Sequence, residues 1–382
     1  MKPARLASVY FAWYAGVGVS MAYFAPYLRG LGFDGKQIGA ISVAQQSLAI
    51  AAVLFWGSLG DRIGTRALRL ATLGATCALA FLPFARTPLS VGLTMACASA
   101  FSGGIVPLVD AATVQLLGKG YARTRLWGSV GFIFTAQGIG LLLAARGERP
   151  ADAAMPLAYL VCFAATALAA FGVAVVRPAA AAVVELAPAA RPRLAEGLSL
   201  LRDRRVALLL LACALHWGAN APYNLLFGVL VREHGHSSRI TGLGMALGVA
   251  AEVVALLLFP RLIGRYSLRV LFAAAYLVSA LRWVLVARAE SAAALALLQL
   301  FHAATFGLWW GCAIEALRLA VPARLRASGQ AMFSAVVFGS GNLIGYALSG
   351  AGYDRFGGAP KLFLGAAVLE VLALLVTFVV WA

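Results

Sequence analysis

PLVDAATVQLLGKGYARTRLWGSVG, residues Pro107 to Gly131, is the stretch whose reading decides the fold. It leaves a long apolar run carrying one carboxylate, Asp110, passes through a basic turn of Lys119, Arg123 and Arg125, and re-enters an apolar run at Leu126. An aspartate among about twenty apolar residues costs about 2.5 kcal/mol or more in lipid. A chain that keeps one turns it toward a partner or a watery cavity, and that partner has to come from elsewhere in the sequence.

The same alternation of apolar run and basic turn fills the rest of the chain. Of 382 residues, 62% are apolar and 12% charged, and the mean hydropathy is +0.89. Soluble domains carry about twice that charge, so the chain reads as a polytopic helical membrane protein. The net charge of +17 lies in short loops between apolar runs, where it suits the anionic cytoplasmic leaflet. No basic tract interleaved with aromatics argues for nucleic acid. Cys77, Cys97, Cys162, Cys213 and Cys312 all lie inside apolar runs without ligand spacing and read as small core residues, with no metal or cofactor expected. The first apolar run follows Lys2 and Arg5 without an Ala-x-Ala signal and reads as a retained helix.

A crossing needs about 20 apolar residues. That ruler gives twelve spans, at approximately 7–28, 38–58, 67–86, 89–116, 126–145, 153–176, 206–231, 239–263, 268–288, 291–317, 328–351 and 361–381. With the N-terminus inside, 20 Lys and Arg fall on the cytoplasmic side and 10 on the other, with Arg282 left inside a span. Both termini are therefore expected in the cytoplasm. The Ala- and Arg-rich composition and short loops suggest a bacterial inner membrane. Residues 177–205 begin RPAAAAVVELAPAARPR and turn amphipathic at LAEGLSLLRD. They are expected to link an N-terminal six-helix bundle, 1–176, to a C-terminal one, 206–382. Internal echoes agree. Ala122-Arg123-Thr124-Arg125 with Gly128 returns as Ala323-Arg324-Leu325-Arg326 with Gly329, and GSLGDRIG from Gly57 resembles GAGYDRFG from Gly350. Inverted repeats nested in parallel halves produce such echoes.

Charges within the spans are the candidates for chemistry, since deep ionisable groups tend to line pathways. They are Asp110, Glu252, Arg282 and His302, with Arg125 at the start of the fifth span. Glu315 and Arg318 read as a local ion pair. The seventh span carries His216, Asn220, Tyr223 and Asn224 on one helical face beside Pro222, which reads as a cavity wall beside a kink.

Between the second and third spans the chain reads GSLGDRIGTR, expected as a loop in which Gly57, Gly60 and Gly64 allow close approach beside Asp61, Arg62 and Arg66. The spacing G-x-x-x-D-R-x-G-x-R resembles the signature loop of the major facilitator superfamily. That resemblance implies gating of the cytoplasmic side by Gly57, Asp61, Arg62, Gly64 and Arg66. PLVDAATVQLLGKGYARTRLWGSVGF, ALHWGANAPYN with GLGMALGVAAEV, and RWVLV with LLQLFHAATF are similar to the phenylpropionate permease branch of that superfamily. More distantly they resemble the lactose permease group of proton symporters. By that resemblance Asp110 and Arg125 bracket the substrate, while Glu252, Arg282 and His302 couple it to the proton. Thr305 stands where that group has its proton-carrying glutamate, which leaves the role to Glu252 or Asp110.

The function expected is secondary active transport: proton-coupled symport, by alternating access, of a small organic solute such as an aromatic carboxylate, bound between the halves of a chain expected to act as a monomer. A proton symporter of sugars or nucleosides is the alternative, and an assembly factor for membrane complexes is the alternative outside transport. No HExxH, GxSxG or metal-ligand cluster points to an enzyme.

Overall fold

A computed structural model describes residues 3–175 and 199–380. Among these residues twelve membrane helices follow in order. They are α1 (Ala4–Gly30), α2 (Gly35–Ile63), α3 (Arg66–Leu79, extended by a 3₁₀ turn), α4 (Pro88–Ser102, then Ile105–Leu117), α5 (Tyr121–Ala145) and α6 (Ala154–Gly172). Then come α7 (Arg204–Ala219, then Ala221–Glu233), α8 (Ser238–Ile263), α9 (Leu268–Arg288), α10 (Ala292–Ala320), α11 (Ser328–Phe356) and α12 (Pro360–Val380). Ten helical segments are long and apolar enough to cross a membrane, and one of them, Pro88–Ala145, contains both α4 and α5. α1 completes the set, since its 27 residues reach about 40 Å at about 1.5 Å per residue, beyond the hydrocarbon thickness of about 30 Å. The all-α integral membrane class and the twelve spans are as the sequence implied.

Two compact units divide the chain, Met1–Ala182 with Val231–Ala246, and Val183–Leu230 with Leu247–Ala382. In the first, α1 packs on α5 and α6, and α3 on α6. In the second, α7 packs on α11 and α12, and α9 on α12. The same pairings thus recur six helices apart, the pseudo-symmetry that the sequence echoes anticipated. The linker read over 177–205 lies outside the described residues as far as residue 198. Its described end is a short 3₁₀ turn, Leu200–Arg202, before Asp203 caps α7 by accepting from the backbone of Arg205 and Val206.

Lipid offers no hydrophobic drive for helix association, so close approach of backbones at small residues carries much of the packing. Gly131 of α5 faces the Phe11 carbonyl of α1 so closely that a β-carbon there would overlap it, and a β-carbon on Gly18 of α1 would come within 2.8 Å of the Phe132 carbonyl of α5 in return. Helix ends are closed by side chains. Asp34 and Gln37 form a reciprocal cap on α2, and Thr87 and Ser90 do the same on α4.

Local readings of the sequence change in this region. GSLGDRIGTR is not a loop: α2 runs through it to Ile63, because Leu59 and Ile63 continue its apolar pattern, and only Gly64, at φ 64°, ends the helix. Gly60 faces Leu108 of α4, where a β-carbon would come within 2.5 Å, while Gly57 faces open space. α4 is not continuous either. It breaks at Gly103-Gly104, which press against Ala49 and Trp56 of α2.

Gly131→Leu should therefore lower the thermal unfolding midpoint in detergent, by an overpacking cost of about 1–3 kcal/mol or more. Gly138→Leu, on the same helix with nothing within 4 Å, should leave it nearly unchanged. Equal effects would remove close α1–α5 packing as the cause.

Candidate functional site

The partner that Asp110 requires is Arg125, which follows it around the Gly118–Gly120 turn. Arg125 Nη1 donates to both Asp110 oxygens, at 2.7 and 2.9 Å. Tyr10 of α1 donates its hydroxyl to Oδ1 at 2.5 Å. Arg125 also reaches the hydroxyls of Tyr121 at 3.1 Å and Tyr14 at 3.2 Å. A carboxylate, a guanidinium and three phenols are thus gathered from α1, α4 and α5. The cluster is accessible, with 27% of the Asp110 side chain and 39% of the Arg125 side chain exposed. It can offer hydroxyl-rich or anionic solutes several donors at once.

A second cluster lies in the second unit. Arg282 of α9 is fully buried, and among the described residues no carboxylate lies within ion-pair distance of it. Its Nη2 donates to Gln299 Oε1 at 2.5 Å, its Nη1 to His302 Nδ1 at 3.2 Å, and its Nε has no partner. The guanidinium lies 4.5 Å from the Tyr223 ring centre and 4.4 Å from that of Trp283. Because Arg282 can only donate, His302 must accept at Nδ1 and carry its proton on Nε2. That nitrogen points to Glu252 Oε2, 3.5 Å away. Arg282, His302 and Glu252 therefore form a relay, fully buried at the arginine and 18% exposed at the glutamate.

The stripe read on the seventh span divides. α7 breaks at Asn220, ahead of Pro222, and Asn220 caps its first segment. Tyr223 turns to Arg282, and Asn224 to the Tyr346 hydroxyl. His216 is fully buried with both ring nitrogens engaged: Nδ1 is 2.7 Å from Glu370 Oε2, and Nε2 is 2.8 Å from the Thr305 carbonyl. Glu370 also accepts from Trp283 Nε1 at 3.1 Å. The sequence reading passed over Glu370, although an acid in the middle of LGAAVLEVLALL carries the same signal that singled out Asp110. Thr305 offers only a hydroxyl where the resemblance expects an acid, and it receives a hydrogen bond from Ser279 at 3.1 Å. Asp61, Arg62 and Arg66 are exposed near the α2–α3 turn, and the Glu315–Arg318 pair forms as expected, at 2.6 Å.

A further acid, Glu148, follows α5 and was also not singled out. Its Oε1 accepts from the backbone N–H of Ser238 at 2.6 Å and from the Ser237 hydroxyl at 2.7 Å, while Oε2 accepts from the Ser238 hydroxyl at 2.6 Å and lies 2.8 Å from Arg232 Nη1. Arg232 Nη2 donates to the Glu148 carbonyl at 3.1 Å as well. An anion thus sits on the N-terminus of α8, where helix donors are unsatisfied. These contacts hold Glu148 at φ 56°, in the left-handed region. Burial opposes ionisation of Glu148, but the Ser238 and Ser237 hydrogen bonds and the Arg232 charge outweigh it and hold the carboxyl below its ordinary range.

Such an acid stabilises the fold in full above its ordinary value of 4.5, and the contribution is lost as pH falls through the lowered one. Glu148→Gln should therefore melt earlier than the wild type at neutral pH, and the two should converge in acid. A gap that persists in strong acid would show that the charge is not what holds this corner.

Comparison with known proteins fits the geometry. The chain is 30% identical over 381 residues to the maltose permease of Geobacillus stearothermophilus, with 96% of this chain and 92% of that one covered. It is 27% identical to the probable 3-phenylpropionic acid transporter of Escherichia coli strain K12, over 97% of this chain and 94% of that one. Among solved structures, the nucleoside transporter NupG matches with a TM-score of 0.86 at 16% identity, covering 100% of this chain and 99% of that one. A bacterial homolog of the human lysosomal transporter Spinster matches at 0.75 and 13%, covering 99% and 96%. These two likenesses concern the fold alone. Residues 4–364 match the MFS_1 like family, and the chain belongs to that family, whose members are membrane transporters and not enzymes.

Proposed function

We propose that this chain is a proton-coupled symporter of a small organic anion, an aromatic carboxylate in the first instance, working by alternating access. The Arg282–His302–Glu252 relay carries the reading. A buried guanidinium is costly unless an anion compensates it, and Arg282 has Glu370 acting on it through space and, by way of His302, a carboxylate 3.5 Å beyond that imidazole. A proton arriving on Glu252 discharges that anion and leaves Arg282 in need of another. A solute carboxylate meets the need, since the planar guanidinium fork matches a carboxylate in two-point contact. Tyr223 and Trp283 supply aromatic surface beside it. Proton and solute therefore bind together, each favouring the other, and that is the requirement for symport. The name of the Escherichia coli relative points to the same solute class.

In this reading Asp110, Arg125, Asn220, Tyr223 and Asn224 supply further polar contacts to the solute, and Gly57, Asp61, Arg62, Gly64 and Arg66 belong to the gating end. The residues 1–176 and 206–382 act as the two halves, joined by 177–205. Both termini lie in the cytoplasm of a cell with the protein in its inner membrane, supported by the 20 to 10 division of basic residues between loop sets. A second reading, symport of a sugar or nucleoside, draws on the phenol-rich Asp110–Arg125 cluster and on the maltose permease relative.

Reconstituted vesicles with a pH-sensitive dye separate the two. With 3-phenylpropionate outside, the external medium should turn alkaline as solute and proton enter. Arg282→Gln should abolish the response, and Glu252→Gln should abolish it while leaving solute binding insensitive to pH. A response to maltose or nucleosides and to no carboxylate would replace the first reading by the second. No proton movement with any solute, from folded protein, would end both.

A further inference from the structure

The contact between α7 and α12 poses a question of hydrogen counting. His216 faces two oxygens, the Glu370 carboxyl at Nδ1 and the Thr305 carbonyl at Nε2, at 2.7 and 2.8 Å. A carbonyl can only accept, so Nε2 must carry a hydrogen. The contact at Nδ1 is short enough to need a hydrogen as well, whether it sits on the nitrogen or on Glu370. The pair therefore holds one proton more than a neutral imidazole facing a carboxylate, and its total charge is zero in either arrangement. Both side chains are fully buried, where a neutral pair costs far less than a lone charge.

Losing that proton changes the contacts in a defined way. The remaining imidazole hydrogen must move to Nδ1 to serve the carboxylate, which leaves the Nε2 lone pair facing the Thr305 carbonyl. Two acceptors then confront each other, and the bond to α10 is lost. Asn220 is placed to take up the lone pair, because its Nδ2 lies 3.4 Å from His216 Nε2 while donating to the His216 carbonyl at 2.9 Å. The other end of the broken bond lies in Ala303–Leu308, a π-helical stretch of α10 that follows a 3₁₀ turn, Leu298–Phe301. Departures of this kind from the α-helix are places where a helix can change its register.

We propose that His216 and Glu370 form a proton-binding site, and that the bond from His216 to Thr305 transmits its occupancy to the π-helical stretch of α10. The site supplies the acid that Thr305 lacks, from α12 instead of α10. Loading takes one proton from water onto the pair, and unloading returns it, leaving the Glu370 carboxylate and a neutral His216. The other titratable or charged groups facing the pair are Tyr276 and Arg282 from α9 and His302 from α10. The inference rests on the proton-coupled reading above, and adds to it a second proton site whose release alters helix geometry.

Glu370→Gln keeps an acceptor for Trp283 and removes the proton. In reconstituted vesicles it should lose solute accumulation driven by a pH gradient, while exchange of labelled for unlabelled solute continues and becomes insensitive to pH. Exchange needs the solute path but no net release of the proton, so a purely structural role would reduce both together. Accumulation at the wild-type level in Glu370→Gln would overturn the site while leaving the coupling reading intact. A second measurement needs no solute and no variant transport. Infrared difference spectra of the wild type, taken between acid and alkaline pH, should contain a carboxyl band that shifts on labelling glutamate with ¹³C and is missing from Glu370→Gln. If wild-type vesicles move no protons with any solute, the coupling reading falls, and the infrared band still decides the proton site. If Glu370→Gln does not fold, His216→Gln takes its place, and it should weaken or displace the band. A wild-type spectrum with no titrating buried carboxyl overturns the proposal.

Discussion

Everything polar inside this chain answers to one constraint: an ionisable side chain surrounded by lipid-facing helices has to find its counterpart within the protein. The three solutions differ. Asp110 is met directly by Arg125, with phenols completing the shell. Arg282 is met at second hand, through an imidazole whose far nitrogen faces Glu252. Glu370 is met by a histidine and a tryptophan N–H. Only the last two contain a histidine, whose imidazole can donate or accept, whereas a guanidinium can only donate.

Helix irregularities gather at the same places. α7 breaks at Asn220, between His216 and Tyr223, and α10 passes through 3₁₀ and π geometry where His302 and Thr305 lie. In lipid a broken helix exposes backbone groups that must be satisfied nearby. Here the Thr305 carbonyl is satisfied by His216, and the His216 carbonyl by Asn220. The irregular backbone is therefore held in part by side chains, one of them a titratable histidine, and not by other backbone groups alone. A regular α10 would bond its own carbonyls internally and would be indifferent to the protonation of α7.

Much of this was legible in the sequence, because lipid makes each charge conspicuous. The twelve runs, the solitary Asp110, and the Glu252, Arg282 and His302 set all stand out against apolar neighbours. Pairing was less legible, since it depends on which helices touch. Nothing in the order of residues says that His216 of α7 meets an acid 154 positions later. Apolar pattern also misplaced two boundaries. Leu59 and Ile63 carry α2 through a motif rich in glycine and charge, and the paired glycines that break α4 look like small residues inside one continuous run.

The division of chemistry between the halves follows from the same electrostatics. Asp110 is locked to Arg125 by two short bonds, so that carboxylate and guanidinium already answer each other's charge. In the reading proposed above, the Asp110–Arg125 cluster contributes to holding the solute. An imidazole between donor and acceptor has the opposite character: one proton more or less reverses which of its neighbours it can serve. His302 joins a buried cation to a more exposed acid, and His216 joins a buried acid to a helix backbone. In the proposals made above, the first arrangement converts a proton into a demand for an anion, and the second converts it into a change of helix contact. The proposed symport draws on both conversions, and the C-terminal helices hold a histidine for each.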